Sequence, residues 1–142
     1  MYATIVIPLD NSPSDEAILC HIRPLARLCG SRLVLFHVAD GHAARNQEQL
    51  DLEDSQEIRD DRAYLDRRRT ELAAEGFEVS THLDRGEPAG RIVALAERVN
   101  ADLIAMSTHG HRFAMDLLLG SVASDLRHRT DIPVLLVRAK KA

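Results

Sequence analysis

Apolar residues follow two rhythms along this chain. Short unbroken runs at Thr4-Ile5-Val6-Ile7, Arg32 to Val38, Leu103-Ile104-Ala105-Met106 and Val134-Leu135-Leu136-Val137 have the length of strands covered on both faces, since a half-exposed strand would alternate. Between them the apolar positions recur at helical spacing. Ser12 as N-cap and Pro13 as first helical residue open a helix to about Leu28, striped by Ala17, Ile18, Ile22, Leu25 and Leu28. Pro24 cannot donate to the Cys20 carbonyl, so a bend there or a break near Arg23 is expected. Gly30 ends the helix.

From about Leu52 to Ala74 acids and arginines surround Ile58, Tyr64, Leu65 and Leu72, the pattern of a long amphipathic helix with a wide wet face. Asp40 to Asp54 has few apolar anchors and reads as a loop or a loosely held helix start. With so little area to bury, this loop and the Leu52 to Ala74 helix are expected to open locally at low cost. Phe77 to Leu83 alternates in period two, as an edge strand does. After the turn Gly86-Glu87-Pro88, Ile92, Val93, Leu95, Ala96 and Val99 stripe a third helix, and Gly120-Ser121 opens a fourth pattern, Val122-Ala123-Ser124-Asp125-Leu126.

Five strands alternating with four helices predict an α/β fold, a doubly wound parallel sheet with helices on both faces. Such sheets bind ligands beyond the carboxyl ends of their strands, where strand order reverses. The first strand ends in Pro8-Leu9-Asp10-Asn11-Ser12 and the fourth in Ser107-Thr108-His109-Gly110. Small and polar residues followed by the Gly120-Ser121 helix start can cradle phosphate on free backbone N–H groups. The same pattern also fits an ordinary polar connection whose glycines relieve backbone strain. Pattern alone leaves the strand order open.

Length and charge narrow the choice of function. The 142 residues predict a single domain spanning 1–142. Apolar residues at 45% and charged residues at 28% suit a globular protein, and a net charge of −4 argues against binding nucleic acid by phosphate neutralisation. No apolar run approaches a membrane span, and Met1 to Pro8 lacks the basic start and length of a secretory signal. Cys20 and Cys29 lie about nine positions apart on one helix, too far for a disulfide without breaking it, so free thiols and a cytoplasmic location are expected.

The chain resembles the universal stress protein family over nearly its whole length. The landmarks are Pro8-Leu9-Asp10-Asn11-Ser12, Leu33 to Val38, Gly86-Glu87-Pro88, Ala101 to Met106 and Asp131 to Arg138, in that order. The resemblance implies a strand order of 3-2-1-4-5, a dimeric stress sensor or regulator, and an adenine nucleotide, ATP with or without Mg²⁺, bound where the first and fourth strands part. Pro8, Leu9, Asp10 and Val38 would line the adenine and ribose end, with the Asp10 carboxylate accepting from a ribose hydroxyl. Met106, Ser107 and Gly110 would run along the ribose and first phosphate, and Gly120, Ser121, Val122 and Ala123 would meet the phosphates. The nucleotide-binding signature of the family is glycine, two residues, glycine, nine residues, glycine, then serine or threonine. Gly110, Gly120 and Ser121 match it, while Ser107 stands at its first glycine. A homodimer through Val134 to Val137 is implied as well, and the apolar character of that run on both faces agrees.

Other chemistries fit the chain less well. His109 and His111 bracket Gly110 but lack a third ligand at useful spacing, so no metal is expected. His109 is expected to pack or hydrogen-bond beneath the loop and is counted with the nucleotide-binding residues. No nucleophile, base and orienter occur together, which predicts no enzyme activity beyond slow ATP hydrolysis. The main alternative keeps the fold without nucleotide and acts through protein partners; Asp116 and Phe113, which add charge and bulk to the phosphate loop, and Ser107 favour it. An adenylyl transferase would need a basic loop after His109-Gly110-His111-Arg112. A phosphoacceptor receiver would need paired acids where Asp10 is followed by Asn11.

Overall fold

The computed structural model describes the backbone of residues 1–40, 47–108 and 122–139, and their side chains apart from those of 40 and 47–55. Strand β1 (Thr4–Pro8) is followed by helix α1 (Asp15–Cys29), β2 (Arg32–Asp40), α2 (Gln47–Ala74), β3 (Glu78–Gly86), α3 (Pro88–Arg98) and β4 (Leu103–Thr108). A helix at 122–129, α4, then precedes β5 (Val134–Arg138). The strands form one parallel sheet in the order β3-β2-β1-β4-β5. The α/β class and the strand order implied by the resemblance are therefore both observed.

Alternation along the buried strands sorts the core into two layers. Ile5, Ile7 and Leu9, Leu33 and Leu35, and Leu103 and Ala105 face α1 and α2, packing on Ile18, Leu19, Ile22, Tyr64, Leu65 and Leu72. Val6, Val34, Phe36, Ile104 and Met106 face the other way, onto Ile92, Leu95 and Ala96 of α3 and Leu126 of α4. Each fully buried aliphatic side chain of this kind contributes roughly 1.5–3 kcal/mol. Both faces are covered, as unbroken apolar strands require.

Helix α1 differs from expectation in its start and in its buried stripe. It begins at Asp15 with Ser14 as its N-cap, two residues later than the Ser12-Pro13 start. Residues 12–14 instead wind inward through three-residue turns, Asp15 N–H to Ser12 O, Glu16 N–H to Pro13 O and Ala17 N–H to Ser14 O. It continues through Pro24 without the break near Arg23 that was one of the two expected outcomes; Pro24 and Cys20 are exposed, so water can satisfy the carbonyl that loses its partner. Leu28, assigned to the apolar stripe, is 85% exposed, and Leu19 and Ala26 take the buried positions. Gly30 closes the helix in the left-handed region at φ 65°, as a C-terminal glycine does.

Candidate functional site at the carboxyl ends of β1 and β4

The ladder between β1 and β4 stops early where the strand order reverses. β1 lies against β4 only at Ile5 and Val6, opposite Leu103 and Ile104. It stays with β2 as far as Pro8 opposite Phe36, and the Leu9 N–H then donates to the Phe36 carbonyl at 2.7 Å. The carboxyl end of β1 therefore follows β2 and parts from β4, the position at which doubly wound sheets take their ligands.

Asp10 stands exposed at this parting. Its Oδ1 accepts from the Ser12 hydroxyl at 2.5 Å. Asn11 follows in the left-handed region at φ 60°, a conformation that asparagine tolerates and that turns the chain toward α1. The turn is gripped from below by Asp15, whose Oδ1 accepts the Asp10 N–H at 3.1 Å and whose Oδ2 accepts the Asn11 N–H at 3.0 Å. The Tyr64 hydroxyl of α2 donates to the same Oδ2 at 2.5 Å.

Asp15 is only 2% exposed. Its burial, and next the charge of Asp10 beside it, push its carboxyl up from an ordinary 3.8 to about 7. Burial and the bond to Asp15 likewise hold the Tyr64 phenol above its usual range, so it remains a donor. Arg68 of α2 donates back to the Tyr64 hydroxyl at 3.3 Å and pairs with Glu16 at 2.7 Å.

A second buried acid, Asp61 of α2, holds the loop from the β2 side. Its Oδ1 accepts from Asn11 Nδ2 at 3.1 Å, and its Oδ2 lies 3.1 Å from His37 Nε2. His37 Nδ1 is 2.7 Å from the Leu9 carbonyl, which can only accept. Nδ1 then carries the proton of that bond. The turn after β1 is thus tied to α1, α2 and β2 at once.

The residues expected at the site fall into three groups. Pro8 and Val38 are half-buried, Leu9 and Met106 are each 3% exposed, and Val38, Met106 and Val122 pack against the layer that carries α3 and α4. Ala123 is buried in α4. Ser107 faces the opposite layer: its hydroxyl donates to the Ser14 carbonyl at 2.6 Å and accepts the Ile18 N–H at 3.1 Å, inserted into the first turn of α1. His109, Gly110, Gly120 and Ser121 lie outside the described residues, as do His111, Arg112, Phe113 and Asp116. Among the described residues, no group of three His, Cys, Asp or Glu could hold a metal ion, and no helix is long and apolar enough to cross a membrane.

Asp15, Asn11, His37, Asp61 and Tyr64 were not singled out from sequence. A signal existed for the two acids. Asp15 is in helical register with Ile18, Leu19, Ile22 and Ala26, and Asp61 with Tyr64, Leu65 and Leu72, so each carboxylate sits on a buried stripe.

The Universal stress protein family pattern matches residues 1–138. Universal stress protein MJ0577 of Methanocaldococcus jannaschii is 28% identical over 159 residues, covering 100% of this chain and 98% of its own. The solved MJ0577 structure superposes with a TM-score of 0.86 at 26% identity, covering 100% and 99% of the two chains. Two further structures share the fold: a universal stress protein in complex with cAMP, with a TM-score of 0.71 at 23% identity and 98% coverage of each chain, and one from Archaeoglobus fulgidus in complex with dAMP, at 0.64, 24%, and 96% and 98% coverage.

Proposed function

Because the chain belongs to the universal stress protein family, we propose that it binds an adenine nucleotide at the carboxyl ends of β1 and β4 and works as a regulator rather than a catalyst. The observation that carries this reading is the parting of β1 from β4 directly below Asp10. An exposed carboxylate there can accept from a ribose hydroxyl, while half-buried Val38 offers apolar surface on one side of the sheet, with Met106 buried in the same layer. The cAMP and dAMP complexes of structural relatives support an adenine ligand. Ser107, in place of the first signature glycine, turns its hydroxyl into α1, and this leaves the backbone of β4 available to a ligand.

In this reading Gly110, Gly120 and Ser121 supply amide N–H groups to the phosphates of ATP, with Val122 and Ala123 behind them. His109 completes the loop. The protein acts as one domain in the cytoplasm, and two copies pair through β5. Any hydrolysis of ATP is slow, and signalling passes to protein partners through occupancy of the pocket.

Calorimetric titration of ATP, with and without Mg²⁺, into wild type, Asp10→Asn, Gly120→Val and Asp116→Asn tests the reading. Binding in wild type that weakens in Asp10→Asn and Gly120→Val is the expected result. Absence of heat at millimolar ATP in both wild type and Asp116→Asn overturns it, and leaves a protein that acts through partners alone.

A further inference from the structure

The carboxyls of Asp10 and Asp15 form a pair at the ligand end of β1. The Asp10 and Asn11 amides donate to Asp15 Oδ1 at 3.1 Å and Oδ2 at 3.0 Å, which seats the Asp15 carboxyl directly beneath Asp10, whose charge raises it, and Asp15 is sealed there while Asp10 faces outward. Two adjacent carboxylates cannot both ionise without cost, so such a pair keeps one proton until the pH is high enough to remove it. We infer that Asp15 is a positioning residue for the ribose acceptor Asp10 and that it couples nucleotide binding to the uptake of one proton. The inference rests on the proposed nucleotide site and adds to it a residue and a linkage.

The surroundings of Asp15 give the direction of the coupling. From the loop it meets Asp10 and the Asp10 and Asn11 amides; from α2 it meets the Tyr64 hydroxyl, with Arg68 behind it and Asp61 bonded to Asn11; β2 brings His37 to Asp61. On its own helix Glu16 is turned to Arg68, and β4 contributes the uncharged Ser107 to the same turn of α1. No described cation bonds Asp15 itself, and Arg68 reaches it only through the phenol. A ribose laid over Asp10 displaces the water that screens the pair. Its hydroxyl compensates the charge on Asp10, whereas the donors of Asp15 are already committed and nothing new compensates a second charge. The bound state therefore favours a protonated Asp15, and above neutral pH the proton passes from solvent to the Asp15 carboxylate as the nucleotide enters.

The test is the pH dependence of ATP affinity, measured by calorimetry in buffers of different ionisation heat, for wild type against Asp15→Ser and Tyr64→Phe. The titration of the nucleotide's own phosphates is common to all three and cancels in the comparison. Relative to Asp15→Ser, wild-type affinity is expected to fall between pH 7 and 8.5 by up to about tenfold per pH unit, the limit for one proton, with proton uptake that vanishes in Asp15→Ser. Tyr64→Phe, which keeps both carboxyls, retains the uptake. A flat wild-type profile with normal binding overturns the inference, as does linkage that survives Asp15→Ser and disappears in Asp61→Asn. If ATP does not bind at any pH, the nucleotide reading fails and the coupling with it. Carbon-13 titration of the Asp15 carboxyl in ligand-free protein separates the causes, because the pair still predicts ionisation near neutrality in wild type and lower in Asp10→Asn.

Discussion

Ser107 at the end of β4 holds the first turn of α1 through the Ser14 carbonyl, with its Oγ 2.6 Å from that oxygen. Ser107 Oγ in turn accepts the Ile18 N–H at 3.1 Å, so one hydroxyl stands between two backbone groups that would bond each other in an uninterrupted helix. The sheet and α1 are thereby joined by polar contacts in a place that is otherwise apolar.

Removing that hydroxyl has a limited cost, because Ile18 can then bond directly to Ser14. Ser107→Ala is expected to destabilise the protein by about 1 kcal/mol, the net worth of a buried hydrogen bond whose partners find each other. Urea unfolding checks this value. A loss well above 3 kcal/mol would mean that the two backbone groups stay apart.

Asp15 makes stability depend on pH in a definite direction. Its folded value lies near 7 against an ordinary 3.8, so the neutral acid stabilises the fold fully below 3.8, and that contribution is lost as pH rises through 7. The whole shift corresponds to about 4 kcal/mol. Between pH 4 and pH 8, wild type is expected to lose up to this amount relative to Asp15→Asn. Urea midpoints at several pH values measure the difference, and parallel curves would contradict it.

The proposed dimer rests on an edge. β5 ends the sheet, Leu136 is 42% exposed on it, and Val134, Leu135 and Val137 are only half-buried. Leu136→Lys should place a charge in the pairing surface and shift sedimentation at micromolar concentration from dimer toward monomer. A monomeric wild type at that concentration would exclude the arrangement.

Helix α2 was expected to open cheaply over Leu52 to Ala74. Burial of Asp61, Tyr64, Leu65 and Leu72 revises this for its second half. Amides from Asp61 to Leu72 are expected to exchange as slowly as those of α1 and faster only than Leu103 to Met106 in β4, which hydrogen exchange resolves.

Strands β1, β2 and β4 were legible because burial on both faces leaves an unbroken apolar run such as Leu33 to Phe36, too short for a helix and bounded by turn residues, whereas β3 was legible from its alternation and β5 keeps an apolar run although it lies half-exposed at the edge. The site was legible only where a side chain points to the ligand end of a strand, as at Asp10, or where the family signature marks a glycine. The supporting acids were hidden by chemistry. Asp15 looks like a helix-starting carboxylate, and Asp61 looks like one more charge on a wet helix among Asp60, Arg59 and Arg62. Their roles depend on residues roughly 50 positions away in sequence, Asn11 with Asp61 and Asp15 with Tyr64. The start of α1 is offset for a local reason: the Ser12 hydroxyl donates to Asp10 and does accept the Ser14 N–H at 3.3 Å, but the turns that follow bond at three-residue spacing, so the α-helix itself begins only at Asp15.

The short register between β1 and β4 has a mechanical meaning. β3, β2 and β1 are laced together along most of their length, as are β4 and β5, whereas the two blocks meet along a seam limited to Ile5 and Val6 against Leu103 and Ile104. Toward the carboxyl ends the seam is closed by the Ser107 clasp on α1 and not by the sheet's own ladder. Under load or on heating, the two blocks will part there first, like a book opening from one end of its spine. A molecule that touches both Asp10 and the end of β4 would act as a rivet across that split, stiffening the whole sheet from a single point.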